Sequence, residues 1–254
     1  MLDLNFLSVL DEKAEFLYRF SDDIWAHPET AFTEFHAAAC YCAVLRSEGF
    51  AVTEGLAGIP TAFSGRYGSG RPVIGILAEF DALSGLSQEG GLTEQRSAGG
   101  DCGHGCGHNL LGMASLGAAI AVKRFLEENK CPGTVILYGC PGEEGGSGKA
   151  FMARDGVFDE LDAALCWHPD EVTGVGVQTS LANCQVLYTL TGKAAHAGGE
   201  PHLGRSALDA VELMVNAGLL AQAKQEHRRL VGPEGYVCPI PQGVRPRSMQ
   251  SLHK

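Results

Sequence analysis

The sequence is short of basic charge. Its 19 lysines and arginines stand against 30 aspartates and glutamates, a formal net charge of -11 at pH 7. That balance excludes a nucleic-acid backbone or an anionic membrane as the main partner, since either would require a concentrated basic surface. The N-terminal stretch M-L-D-L-N-F-L-S-V-L-D-E-K has no basic start and no small-residue cleavage site, so no secretory leader is expected. Long hydrophobic runs are missing as well. The longest, Leu110 to Val122, falls short of the roughly 20 residues that cross a bilayer. The nine cysteines are odd in number and form no regular framework, which fits a reducing compartment. A cytoplasmic protein is the expectation. Cys40, Cys42, Cys140, Cys166 and Cys184 lie inside apolar segments, where a free thiol behaves as a small hydrophobe. No internal repeat is visible.

What is present suffices for a folded domain. A chain of 254 residues, 45% of them hydrophobic, can bury one core and carry a smaller appendage. Apolar spacing predicts helices over 11–25 and 30–47, separated by Pro28 and closed by Gly49. Extended pieces follow at 51–53 and 61–67, and Val73 to Ala78 reads as a buried strand. Residues 109–128 form an apolar core helix, 135–138 a strand, 149–155 a helix and 163–167 a further strand. Strands alternating with helices imply an α/β fold, a three-layer α/β/α domain around a mostly parallel sheet, over residues 1–183. The character then changes. A strand at 184–190, a glycine-rich turn and an amphipathic helix at 206–229 suggest the start of a second domain over 184–230, and the proline-broken remainder, 231–254, is expected to be irregular.

Four polar loops carry the chemistry: Asp81, the run G-H-G-C-G-H-N from Gly103 to Asn109, the pair Glu143-Glu144, and C-W-H-P around His168. Each is expected just past the carboxyl end of an apolar strand, where open α/β sheets bind ligands, so the four should converge in one pocket. Thiolate, imidazole and carboxylate are the donors of a zinc-like ion. Cys106 and His108, two apart, can point to one side of a loop and share a metal cluster with Glu144 and His168 arriving from the next two strands. Of the adjacent carboxylates, Glu143 is the natural general base, because an ion of this kind lowers the pKa of the water it binds to about 7. Asp81 more naturally supports a ligand from behind. The convergence points to a metal-dependent hydrolase.

Blander readings compete. A glutamate pair on a glycine loop is usually a solvated turn, and a lone histidine before proline is usually structural. Cys102, His104, Cys106 and His108 form a possible structural zinc knuckle, but they are packed more tightly than the usual separated ligand pairs. The glycine loop after Pro141 lacks phosphate-loop spacing and carries two carboxylates where phosphates would sit.

The ordered motifs A-E-F-D-A-L, D-C-G-H-G-C-G-H-N-L-L-G, P-G-E-E-G-G-S-G-K, C-W-H-P and G-K-A-A-H-A-G-G-E-P-H-L-G-R-S-A-L-D-A resemble the aminoacylase and carboxypeptidase family of metallopeptidases. Within it they resemble the amidohydrolase branch related to aminobenzoyl-glutamate utilisation protein B, over about His27 to Leu220. The resemblance implies a catalytic domain with two divalent ions, zinc or manganese, and an α+β lid domain that mediates homodimerisation. It implies Cys106, His108, Glu144 and His168 as ligands, Glu143 as general base, Asp81 as supporting carboxylate, and His196 as the lid histidine that reaches the partner subunit's active site. The expected substrate is a small amide, an N-acyl amino acid or a dipeptide-like compound of aminobenzoyl-glutamate or β-alanyl type. The family pattern continues further, completing the lid and supplying a last histidine ligand, where this chain has a proline-rich tail. The lid is therefore expected to be incomplete, and the alternative reading is a truncated, inactive metal-binding or dimerisation protein.

Overall fold

The computed structural model describes the backbone of residues 4–176, 186 and 188–225, and side chains as far as residue 218. The chain divides into two compact units, Met1–Val177 and Gln178–Lys254.

The first unit opens with helices α1 (Ser8–Glu12), α2 (Ala14–Ala26) and α3 (Phe35–Ser47). The expected single helix over 11–25 is interrupted at Lys13, which leaves helical angles between α1 and α2. The helix expected from residue 30 begins five residues later. Phe32 takes a positive φ of 64°, and both oxygens of Glu29 accept the first-turn amides of His36 and Ala37, which starts α3 there. Next come β1 (Ala51–Glu54), β2 (Phe63–Ser69), β3 (Val73–Ala78), the two-residue strands β4 (Leu83–Ser84) and β5 (Cys102–Gly103), and the long helix α4 (His108–Asn129). The unit continues with β6 (Gly133–Gly139), one distorted turn α5 (Glu143–Gly146), α6 (Gly148–Arg154) and β7 (Ala163–Leu165).

The main sheet has the order β1-β2-β6-β3-β7. β6, β3 and β7 run parallel, and β1 and β2 join antiparallel on one side. The alternation of β6 divides the core into two layers. Val135 and Leu137 pack with Phe20, Ile24, Tyr41, Leu45, Leu116 and Ile120 beneath α1 to α4, whereas Ile136 and Tyr138 face Met152 and Leu161 on the α6 side. Helices on both faces make the expected three-layer α/β/α fold.

α4 is long and apolar enough, by length and composition, to cross a membrane, which the shorter run in the sequence was not. Half of its most apolar window is buried here, as befits a core helix, with Leu111, Leu116, Ala119 and Ile120 against the sheet.

Register sets the functional end. β3 and β6 pair from Val73↔Thr134 to Ala78↔Gly139, so Glu79 and Cys140 leave the sheet at one level. β7 pairs Ile76↔Leu165, which brings His168 out beside Glu79.

In the second unit Lys193 and Arg205 form an antiparallel bridge, and α7 spans Ala207–Gln225. Ser206 Oγ accepts the Asp209 amide at 3.0 Å, an N-cap for α7. Leu208, Val211, Leu213 and Val215 of this helix are exposed. Of the strand expected at 184–190, Cys184, Gln185 and Leu187 lie outside the described residues, and the described ones are not in a strand. The end of the expected helix beyond Gln225 and the region 231–254 also lie outside them. Among the cysteines expected in apolar surroundings, Cys42 and Cys140 are buried and Cys40 is half-buried, but Cys166 is exposed, because β7 borders the sheet.

Candidate active site

Three of the four polar loops leave parallel strands at the same edge of the sheet. The fourth, 103–109, follows the two-residue β5 of a separate hairpin and not a main-sheet strand, contrary to the sequence reading. It reaches the same place because it opens α4, which lies across the sheet. Gly107 carries φ 78° there, and a β-carbon on it would stand 3.1 Å from the Pro169 ring, so only glycine lets the Cys106 loop close onto His168-Pro169. Gly148 has a similar role. A β-carbon there would collide with the Pro141 carbonyl oxygen, and its absence lets the Glu143-Glu144 turn fold back tightly.

His108 is the hub. Fully buried, its Nδ1 lies 3.0 Å from Asp81 Oδ1 and 3.0 Å from the Asp81 carbonyl oxygen. Nδ1–H therefore donates to Asp81, and Nε2 carries a free lone pair. Nε2 lies 3.1 Å from Glu79 Oε2 and 3.9 Å from Glu143 Oε2. Neither His108 Nε2 nor Glu79 Oε2 has a hydrogen-bond partner, although both are buried. His168 has the same polarity: Nδ1 sits 2.8 Å from the Pro169 carbonyl oxygen and Nε2 lies 3.2 Å from Cys106 Sγ.

Two sets of donors meet on His108: Cys106, His108 and His168, and Glu79, His108 and Glu143. Within each set the donor atoms lie within 4.8 Å of one another. Glu144 belongs to neither. Its amide donates to Asp81 Oδ2 at 2.8 Å, and its carboxylate is one of the charges that raise the Cys106 thiol pKa. Glu79 and Lys149 are the residues that sequence reasoning passed over. Lys149 Nζ ion-pairs with Glu79, which is 5% exposed. The sequence signal for Glu79 was its place two before Asp81, on the same side of the emerging strand. Cys102, by contrast, donates to the Pro28 carbonyl at 3.2 Å, and among the described residues neither it nor His104 joins a ligand set, so no zinc knuckle forms. His196 lies in the second unit, where its Nδ1 accepts the Gly198 amide at 3.1 Å.

The electrostatics suit a cation. Burial, then the Glu144, Glu143 and Glu79 carboxylates, push the Cys106 thiol up to about 12, a penalty that a coordinated ion would reverse. Burial and the Glu79 charge raise the Glu143 carboxyl above the ordinary carboxylate range. Burial alone would raise Asp81 and lower His108, but their mutual hydrogen bond reverses both: Asp81 is held low and His108 high. Burial, followed by the His108 charge, lowers His104 to about 4. The unpartnered His108 Nε2 and Glu79 Oε2, with two further nitrogen and sulfur donors adjacent, fit a divalent ion.

A buried carboxylate steadies the site from beneath. Glu34 accepts the amides of Phe32 and Gly142 on Oε1, at 2.9 and 2.8 Å, and the Thr61 hydroxyl on Oε2 at 2.9 Å. Burial raises its pKa, so its contribution to stability is fullest at low pH and falls as pH rises through the folded-state value. Glu34→Ala is expected to cost about 2–4 kcal/mol, because three donors lose their acceptor. Glu34→Gln, which keeps an acceptor for both amides and offers its NH₂ to Thr61, should be near neutral at pH 7 and should flatten that pH dependence. Denaturant unfolding of both variants at pH 5 and 8 checks this. Equal losses in the two would show that the charge, and not the hydrogen bonds, matters.

The fold and site together define an α/β protein with a cluster of metal-type donors at the carboxyl ends of its parallel strands. The chain belongs to Peptidase family M20/M25/M40, which it matches over residues 75–245. It is 56% identical over 195 residues to a p-aminobenzoyl-glutamate hydrolase subunit of Escherichia coli (strain K12), covering 76% of this chain and 40% of that protein. It is 31% identical over 232 residues to the Xaa-Arg dipeptidase of Homo sapiens, covering 85% of this chain and 49% of the relative. The chain thus spans half or less of the length of these relatives. Among solved structures, the aminobenzoyl-glutamate utilization protein of Klebsiella pneumoniae superposes with a TM-score of 0.56 at 20% identity, over 87% of this chain and 60% of that one. A dinuclear metal-binding M20 peptidase of Bacillus subtilis gives 0.51 at 23% identity, over 64% and 43%. At these identities the likeness bears on the fold.

Proposed function

We propose that this chain carries the metal-binding half of a metal-dependent amidohydrolase. The observation that carries the reading is the pair of donor sets sharing His108, with two buried donor atoms, His108 Nε2 and Glu79 Oε2, left without hydrogen-bond partners. With Nδ1 bonded to Asp81, His108 can hold one ion through Nε2, and a second divalent ion beside it is supported by the Bacillus subtilis peptidase of this family, itself a dinuclear metal-binding protein. Thiolate and imidazole favour zinc, and the carboxylates also accept manganese. Cys106, His108 and His168 are the proposed nitrogen and sulfur ligands, with Glu144 as the proposed carboxylate ligand. When bound, the ions supply Lewis acidity toward the scissile carbonyl and acidify water.

The chain's own residues do the rest. Glu143, 43% exposed on its turn, faces the open side of the cluster, and its raised pKa brings it closer to that of the water proton it takes and returns to the leaving amine. Asp81 fixes the His108 tautomer and, through the Glu144 amide, the turn that bears Glu143. Lys149 neutralises one Glu79 oxygen and leaves the other for the cluster. His196 is proposed to act on the carbonyl in the partner subunit's site of a homodimer formed through the second domain expected over residues 184–230. The names of the relatives support a small amide substrate of aminobenzoyl-glutamate or dipeptide type, and a cytoplasmic location is proposed separately, on the nine cysteines without a regular disulfide framework.

Metal content and hydrolysis of p-aminobenzoyl-glutamate and a β-alanyl dipeptide, measured together on zinc- and manganese-loaded protein, test the proposal. Bound metal with metal-dependent turnover is expected. Bound metal without turnover on either substrate would assign the chain to the alternative, an inactive metal-binding or dimerisation module.

A further inference from the structure

A second group of metal-type side chains assembles where the end of α2 meets α3, sharing no residue with the active-site sets. Its geometry comes from two i,i+4 pairs, Asp23 and His27 at the end of α2, and His36 and Cys40 on α3. Asp23 Oδ2 lies 2.8 Å from His36 Nε2 and 3.7 Å from Cys40 Sγ, and Cys40 Sγ lies 3.6 Å from His36 Nε2. The His27 ring stands 4.4 Å from that of His36, and its Nδ1 is 3.3 Å from the other Asp23 oxygen.

Three readings of this cluster compete. A nucleophilic cysteine triad would use one imidazole nitrogen toward the thiol and the other toward the carboxylate. Here both partners converge on the same atom, His36 Nε2, so no proton relay runs through the ring. Burial and the Asp23 charge also raise the Cys40 pKa, the opposite of an activated thiolate. A packing role explains the sulfur, which borders the main core, but not two imidazoles and a carboxylate gathered around it. Convergence of N, O and S donors on one point is what a cation site requires. Tetrahedral coordination with bonds of about 2.0–2.3 Å sets donor separations of about 3.3–3.6 Å. The two distances to sulfur are already of that size. The Asp23–His36 distance is that of a hydrogen bond and has to open by about half an ångström, as an ion displaces the shared proton. Asp23 and His36 side chains are 41% and 39% exposed, which leaves a path from solvent. The Glu29 carboxylate, held by the His36 and Ala37 amides, adds negative charge near Cys40.

We propose that Asp23, His36 and Cys40 form a zinc-type divalent cation site, with His27 beside the fourth position, that ties α2 to α3. Thiolate with imidazole selects zinc or cobalt over magnesium or calcium. The site lies outside the catalytic chemistry and does not rest on the proposed function.

Cobalt(II) titration of the full chain tests it, in a Cys106→Ala/His168→Ala background that removes the active-site thiolate. One equivalent of cobalt with a near-ultraviolet thiolate charge-transfer band, displaced by zinc, is expected. Adding Cys40→Ser should abolish the band, and adding His36→Asn should weaken binding about tenfold or more. No band in the background protein, or a band that survives Cys40→Ser, overturns the proposal. Should the background protein fail to fold by circular dichroism, elemental analysis of the parent against Cys40→Ser alone decides. One metal equivalent fewer supports the site, and equal content overturns it.

Discussion

Glu143→Ala is expected to lower turnover by about 10²–10⁴-fold while the protein keeps its metal, because a positioned general base contributes about that factor to proton transfer. Glu143 sits 3.9 Å from His108 and is the most exposed carboxylate of its donor set, placed to face a substrate water more than to bury a ligand oxygen. Its raised pKa gives the expectation a pH signature. The base works only when ionised, so activity should fall as pH drops through a value above the ordinary carboxylate range. Glu143→Gln should lose as much activity as Glu143→Ala, since the amide keeps the shape but cannot accept the proton. Steady-state kinetics with elemental analysis of the same samples checks both. Metal lost in proportion to activity would make Glu143 a ligand, which its membership of the Glu79–His108 set would then explain.

Cys106→Ala and His168→Ala are each expected to reduce bound metal and to remove most of the metal-dependent rise in Tm. An ion held at 100 times its Kd stabilises the folded state by about 2.7 kcal/mol, about 5–10 °C in Tm for a chain of this size. After chelation the variants should melt close to the parent, because Cys106 is only partly buried and His168 exposed. The stripped parent should keep a pH dependence of its own. The lowered Asp81 pKa contributes stability that is lost as pH falls through its folded value, and the raised His108 pKa contributes stability that is lost as pH rises through its folded value. Thermal scans with and without chelator test the assignment. Unchanged metal content in either variant would remove that residue from the ligand set.

Much of the first unit was legible because its signals are local. The run Val73 to Ala78 is continuous and apolar, as a strand covered on both faces must be, and its bounds agree with β3. The small and apolar residues after His108 mark a core helix, and α4 forms there. The candidate site was legible as residue types with metal chemistry placed after strands. Long-range packing was not legible. The sequence around Thr30 carries helical spacing, yet α3 waits until Phe35, where Glu29 takes its first amides and Glu34, just before it, is held by the Gly142 amide, 108 positions away. Glu79 read as one more residue leaving a strand, and its pairing with Lys149, 70 positions away, comes from the return of the glycine loop over β3.

The sequence by itself determined the α/β class, most helices and strands of the first unit, and the donor candidates Cys106, His108, Glu143, Glu144 and His168, because periodicity and residue chemistry are properties of short stretches. Only the tertiary structure decided which donors share a point in space. It put Glu79 and Glu143 with His108, left Glu144 outside both donor sets with its amide on Asp81, and gathered Asp23, His36 and Cys40 into a second cluster. The physical reason is that donor separations of a few ångströms depend on strand register and on helix crossings, which join residues tens of positions apart and leave no mark on any local pattern.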